Sequence, residues 1–292
     1  QMCIRDSHTF VLTPEFRDFY YEDLETDNQQ YSLAANWSYQ RTELDNIGLN
    51  GSVRTIEYDT QALVDVTFTS IFFALAGERV RSEYSTNLGS THVERDNGQS
   101  TTGFAGNLDW TVNLTSRSRI RTYISTDLTD TSSGTLTAIT DPGTGDPNDI
   151  QITTDVIRNS VATLGYTRED GTLVSSLTGE YREVNYSETP NDRKVAALNA
   201  AFNYPVTALL TSGFYVRYNN TDFVDVVRTD TNSSVGAYLR YQLSRKLHTT
   251  LDAKYRNRDS TQETSNFDEW SAYATLVYGF GEPLRPTRSG GF

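Results

Sequence analysis

Apolar and polar residues alternate along most of the chain with the period of a β-strand. The clearest run lies near the C-terminal end. There Trp270, Ala272, Ala274, Leu276, Tyr278 and Phe280 share one side, and Ser271, Tyr273, Thr275, Val277 and Gly279 share the other. A period of two puts one row on each face of a strand. A run of about eleven residues is long for a soluble strand and suits a tilted strand that crosses a bilayer. Aromatic residues close both ends, where lipid headgroups favour amphipathic rings. The figure recurs upstream. Tyr31, Leu33, Ala35, Trp37 and Tyr39 alternate with smaller polar residues, as do Ile47, Leu49, Gly51 and Val53. Val235, Ala237, Leu239 and Tyr241 do so against Gly236, Tyr238, Arg240 and Gln242, and Leu247, Leu251 and Tyr255 against His248, Asp252, Lys254, Arg256 and Arg258. Residues 8–21 read as a first strand, with Pro14 suited to a strand end or an edge.

The runs repeat. Trp37, Phe73, Trp110, Tyr166, Tyr204, Tyr241 and Tyr278 recur at intervals of 36, 37, 56, 38, 37 and 37 residues. The one long interval contains Asp141-Pro-Gly-Thr-Gly-Asp-Pro-Asn-Asp149, a loop by composition. A period of this size must be explained before anything else. Solenoid repeats would show helical spacing, and propeller blades four short strands per period. Here each period holds two long alternating runs, so each is one transmembrane hairpin. Seven hairpins give fourteen strands, an even number as bacterial barrels prefer, with twelve and sixteen the neighbouring counts. The expected fold is therefore all-β, an antiparallel transmembrane β-barrel over residues 8–280. Residues 281–292, with Pro283 and Pro286, form a non-strand tail. Links beside the anchors are short (41–45, 115–119, 168–171, 206–209, 243–246). The alternate links read as longer and more acidic (87–101, 129–150, 186–194, 219–232, 258–268). Short turns belong in the periplasm and long loops outside. That places the seven anchors and Phe280 in a periplasmic aromatic girdle. Residues 60–87 fit least well: Glu78-Arg-Val-Arg-Ser-Glu83 turns one charge the wrong way, as a bulge or register slip would.

Composition agrees. Hydrophobic residues make up 36% and mean hydropathy is −0.54, low for a soluble core of 292 residues, while Tyr 18 and Phe 13 are abundant. Only alternate residues of a barrel meet lipid, which reconciles the two. No stretch reaches the roughly 18 consecutive apolar residues of a membrane helix. A net charge of −13 without a basic stripe argues against nucleic acid. The lone Cys3 forms no internal disulfide and lies in residues 1–7, which resemble a translated sequencing-adapter scar. No apolar leader follows Met2, and the scar implies that the native start is missing.

Charge in hydrocarbon costs roughly 2–4 kcal/mol at the midplane, so the charged rows must face water or protein. These rows supply Arg121 and Tyr123, Glu180 and Arg182, Tyr215 and Arg217, Tyr238 and Arg240, then Asp252, Lys254 and Arg256, with Asn107 and Asp109 upstream. Two readings stay open. The arginines and tyrosines line a conduit for acidic or sugar-rich solutes, since guanidinium forks take carboxylates. Alternatively, cations pair with Asp252, Glu180 and Asp109 to brace the interior. Catalytic patterns are absent. His8 lies near the scar, His248 beside a periplasmic turn, and His92 in a loop near Glu94 and Asp96 without a motif. The acids of 141–149 lack the spacing of a calcium loop. No enzyme activity, cofactor or metal site is expected.

Tyr255-Arg-Asn-Arg-Asp-Ser260, Asn266-Phe-Asp-Glu-Trp270, the closing Tyr278-Gly-Phe280 and the turn Tyr241-Gln-Leu-Ser244 carry a family likeness. In these the chain resembles the outer-membrane β-barrels associated with exopolysaccharide export and PEP-CTERM sorting systems. Gly281–Phe292 departs from that family, whose members end at the barrel phenylalanine. The resemblance implies a bacterial outer-membrane channel or export component for an extracellular polysaccharide. Its partners would be outer-membrane lipid and lipopolysaccharide, polysaccharide, and periplasmic export components. The rival expectation is a structural or docking barrel with a braced interior.

Overall fold

The computed structural model describes residues 8–20, 27–59, 64–130, 155–187, 190–225 and 227–279. Fourteen strands follow one another: β1 (His8–Phe19), β2 (Asn28–Gln40), β3 (Asp45–Tyr58), β4 (Val66–Arg79), β5 (Ser82–Arg95), β6 (Ser100–Thr115) and β7 (Ser118–Asp130). After the link come β8 (Val156–Asp170), β9 (Leu173–Tyr186), β10 (Arg193–Pro205), β11 (Leu210–Phe223), β12 (Arg228–Ser244), β13 (Leu247–Ser260) and β14 (Phe267–Tyr278). They form one sheet in sequential order, each antiparallel pair a hairpin. Such an arrangement satisfies backbone N–H and C=O groups between neighbours, which hydrocarbon demands.

The alternation sorts the side chains as the pattern requires. On β12, Val235, Leu239, Tyr241 and Leu243 are exposed while Gly236, Tyr238 and Arg240 are covered. Register carries one exposed row straight across neighbouring strands, as in Trp37 opposite Leu49, Leu49 opposite Phe73, and Phe73 opposite Leu88. This exposed apolar face is the lipid face; the half-buried polar face is called inner below. Pro14 stands opposite Leu33 on β1, the first strand in the order.

Tight turns follow β2, β4, β6, β8, β10 and β12, at 41–44, 80–81, 116–117, 171–172, 206–209 and 245–246. Four of them are closed alike. The hydroxyl oxygens of Thr42, Thr115, Thr207 and Ser244 accept the backbone N–H two residues on, at 3.2 Å each. A short hydroxyl side chain replaces a backbone partner in such turns. Gly171 has φ +62°, where a side chain would clash with the backbone.

Several expectations change. Glu78–Glu83 holds no bulge: β4 and β5 meet in a two-residue turn, with Arg79 opposite Ser82 and Glu78 opposite Glu83. The misplaced charge simply lies at an exposed hairpin tip. The irregularity falls instead between Gln242 and Ser244. The links expected at 87–101, 186–194, 219–232 and 258–268 shrink to 96–99, 187–192, 224–227 and 261–266. Strands continue past the apolar row because polar cross-strand partners replace lipid as the reason to pair. His92 therefore belongs to β5, with Nδ1 2.8 Å from the Thr102 hydroxyl. Most of 129–150, with Asp141–Asp149, lies outside the described residues, as do 1–7, Phe280 and 281–292.

The chain divides into two compact units. In the first (Gln1–Thr111, Thr122–Ala162, Arg182–Asp192), the inner face carries amides, hydroxyls and small residues along much of its length. Asn50 donates to Asn87 at 3.1 Å, and Asn87 donates to Asn107 at 2.8 Å. Where β3 ends and β4 begins, the inner face turns apolar. Ile56, Tyr58, Val66, Phe68, Val93, Leu128 and Val156 form a buried cluster. Beside it Arg95, 8% exposed, faces Asp155 at 3.5 Å. The second unit (Val112–Arg121, Thr163–Tyr181, Arg193–Phe292) contains β10 to β14.

Candidate functional site

The inner face of β10 to β14 concentrates charge. Between the strand ends, the inward parity carries Arg193, Arg217, Arg228, Arg240, Lys254, Arg256 and Arg258, seven cations, against Asp230, Asp252 and Glu269, three anions. The chain as a whole is strongly acidic. The excess of cations on this face is therefore a local property that composition conceals.

Two tyrosines lie across this face as straps. Tyr238 on β12 stands directly opposite Gly213 on β11, which stands opposite Asn203 on β10. Its ring covers Gly213 so closely that a Cβ there would come within 2.3 Å of it, and its hydroxyl donates to the Asn203 side chain. Tyr215 on β11 runs the opposite way. Its ring covers Gly236 on β12, again 2.3 Å from where a Cβ would stand, and its hydroxyl reaches Asp252 on β13 at 3.5 Å. Each ring carries the guanidinium two residues on: Arg217 lies 5.4 Å from the Tyr215 ring centre, and Arg240 lies 5.9 Å from that of Tyr238. Cations favour aromatic faces at such distances. Arg256 adds a half-exposed ion pair with Glu269 at 3.7 Å.

Beyond the apolar row lies a tighter knot. Asp230 precedes Val235, the first exposed apolar residue of β12, and at its level the outward neighbours are the polar Asp222, Thr229, Thr231 and Asp259, outside the apolar row. Arg228 grips it with both prongs, Nε at 3.0 Å and Nη2 at 2.6 Å. Arg258 Nη2 and Ser260 Oγ donate at 2.5 Å each. Burial alone would raise the Asp230 carboxyl, but hydrogen bonds from Arg228, Ser260 and Arg258, with the Arg258 charge, outweigh it and hold it at about 2.

Of the residues expected on the inner face, those on β11 to β13 keep that parity. Tyr215, Arg217, Tyr238, Arg240, Asp252, Lys254 and Arg256 come together on β11 to β13. Arg121 and Tyr123 lie on β7, and Glu180 and Arg182 on β9, away from this group in the strand order. Of the residues expected in a girdle, Trp37, Phe73, Trp110, Tyr204, Tyr241 and Tyr278 are on the exposed face and Tyr166 is half-buried. Asp230, Arg228, Gly213 and Asn203 were not anticipated, and Gly236 was read only as a member of a polar row. Asp230 and Arg228 fell in a stretch read as loop, and the glycines carry no pattern until the register is known.

Fourteen antiparallel strands with an exposed apolar face and a polar inner face define a β-barrel of the bacterial outer membrane. Residues 195–280 match the family described as "Putative beta-barrel porin 2". Among solved structures, outer-membrane-expressed OmpT of Vibrio cholerae is similar over 96% of this chain and 100% of its own, with 8% identity and a TM-score of 0.48. Salmonella typhi OmpF in complex with daunomycin matches over 92% and 96%, at 10% identity and 0.41. An anion-selective porin from Comamonas acidovorans matches over 94% and 98%, at 7% identity and 0.37. Identities and scores of this size say nothing about a solute. Comparison with curated proteins finds no match.

Proposed function

We propose that this porin-like barrel is a channel for an acidic, sugar-rich solute, of the kind an extracellular polysaccharide presents. The observation that carries the reading is the excess of cations on the inner face of β10 to β14 in a chain of net charge −13. A wall of one sign raises the local concentration of the opposite ion and favours its passage. Guanidinium forks match carboxylates, which acidic polysaccharides repeat along their length. The likeness of residues 241–280 to barrels of exopolysaccharide export systems supports the same solute class.

A second reading draws on the bracing contacts. Asp230 with its two arginines, and Arg95 with Asp155, are buried pairs of the sort that hold strands together. In that reading the barrel is a structural or docking element. One experiment separates the two. Replacing Arg217 and Arg240 together by Gln, in protein reconstituted into planar bilayers, should shift ion selectivity toward cations while heat-modifiable gel migration stays unchanged. A wild-type barrel without conductance, losing stability in the double variant, would overturn the channel and leave the structural role.

A further inference from the structure

We propose that Gly213 and Gly236 set the bore and fix the charge of the channel wall by giving Tyr238 and Tyr215 a flat seat. This rests on the channel reading and names the residues that determine its specificity. Each tyrosine leaves the inner face of its own strand directly opposite a glycine of the neighbouring strand. The missing Cβ lets the ring lie against the backbone; with a Cβ in place, ring carbons would stand 2.3 Å away, far inside contact distance. A displaced ring cannot retreat through the hydrogen-bonded sheet. Its free direction is away from the wall, into the space through which solute passes.

The charges would move with the rings. Arg217 and Arg240 ride on the faces of Tyr215 and Tyr238, so lifting a ring lifts a guanidinium. The hydroxyls of the two rings also tie β10 to β12 and β11 to β13 through Asn203 and Asp252. The wall that results is low and rigid, with two guanidinium groups held at set positions above it. A carboxylate borne on a sugar ring suits it, because the forks take the carboxylate.

The test compares Gly213→Ala and Gly236→Ala with the double variants Gly213→Ala/Tyr238→Ala and Gly236→Ala/Tyr215→Ala. In planar bilayers, each single variant should lose about half or more of the single-channel conductance and exclude smaller neutral polyethylene glycols. Each double variant should regain both. Unchanged conductance in the single variants, or a loss that shortening the tyrosine does not restore, overturns the proposal. Urea unfolding in detergent gives a reading that needs no conductance: each glycine-to-alanine change should lower the midpoint when its tyrosine is present and leave it nearly unchanged when that tyrosine is already alanine. If the wild type conducts nothing, the channel reading fails and the bore with it. If the wild type conducts but the glycine change lowers the midpoint equally with and without the tyrosine, only the seat is refuted.

Discussion

On β3, β5 and β6 the amides of Asn50, Asn87 and Asn107 pass hydrogen bonds from strand to strand along the inner face. On β10 to β13 the inner face carries Tyr215, Arg217, Tyr238, Arg240 and Lys254. Both regions are antiparallel hairpins of similar period, and both present Leu, Val and aromatic residues to lipid. The outer rows resemble each other because the solvent they meet is the same. The inner rows differ because nothing in the fold dictates them beyond tolerance of water. A difference between two inner walls built on equivalent backbones therefore points to use rather than to architecture. The amide wall is knit by neutral hydrogen bonds. The cationic wall holds its charges on aromatic rings and, farther out, on one gripped carboxylate.

The most damaging way to break the comparison is at that carboxylate. Asp230→Ala leaves Arg228 and Arg258 without their shared anion, Arg258 being 7% exposed. Removing one partner of a buried pair costs about 3–5 kcal/mol, so urea unfolding should show a loss of that order. The same group gives a pH signature. Its folded pKa lies below the ordinary carboxylate value, so its contribution is present above about 4 and fades as pH falls toward about 2. Asp230→Asn should abolish that part of the acid sensitivity; an unaltered acid profile would show that the grip contributes nothing.

A smaller loss, about 2–4 kcal/mol in bilayers, is expected for Leu251→Arg, which puts a charge on the lipid face. Lys254→Leu alters the opposite face of the same strand, and this variant should fold. Equal loss from both, measured by folding into lipid vesicles, would mean that the faces of β13 are reversed.

The mildest change tests the amide wall. Asn87→Leu removes both links of the amide ladder and should cost about 1–2 kcal/mol without altering ion selectivity. If selectivity moved as much as in the arginine double variant, the two walls would not be functionally distinct.

How much of this could be read from the chain follows from the same physics. Period-two alternation and the spacing of Trp37 through Tyr278 are imposed by lipid, so the strand count and the faces were legible. Strand ends were not. Outside the lipid band no apolar row marks them: Arg228 and Asp230 looked like part of an acidic loop, and Arg258 stood where a charged row meets the next link. The straps were hidden for another reason. Gly213 opposite Tyr238 and Gly236 opposite Tyr215 follow once the turn at 224–227 is placed, since one turn centre fixes every pair on β11 and β12. Placing that turn at 219–232 left the register free. The supposed bulge at Glu78–Glu83 failed for a related reason, because charge at an exposed hairpin tip mimics a slip.

The most direct measurement is the reversal potential of the wild-type protein in a planar bilayer under a potassium chloride gradient. A cationic inner wall predicts that chloride passes more readily than potassium, giving a reversal potential of the anion-selective sign that shrinks as ionic strength rises. A channel that prefers potassium, following the acidic composition of the whole chain, would contradict the cationic wall as its selecting element.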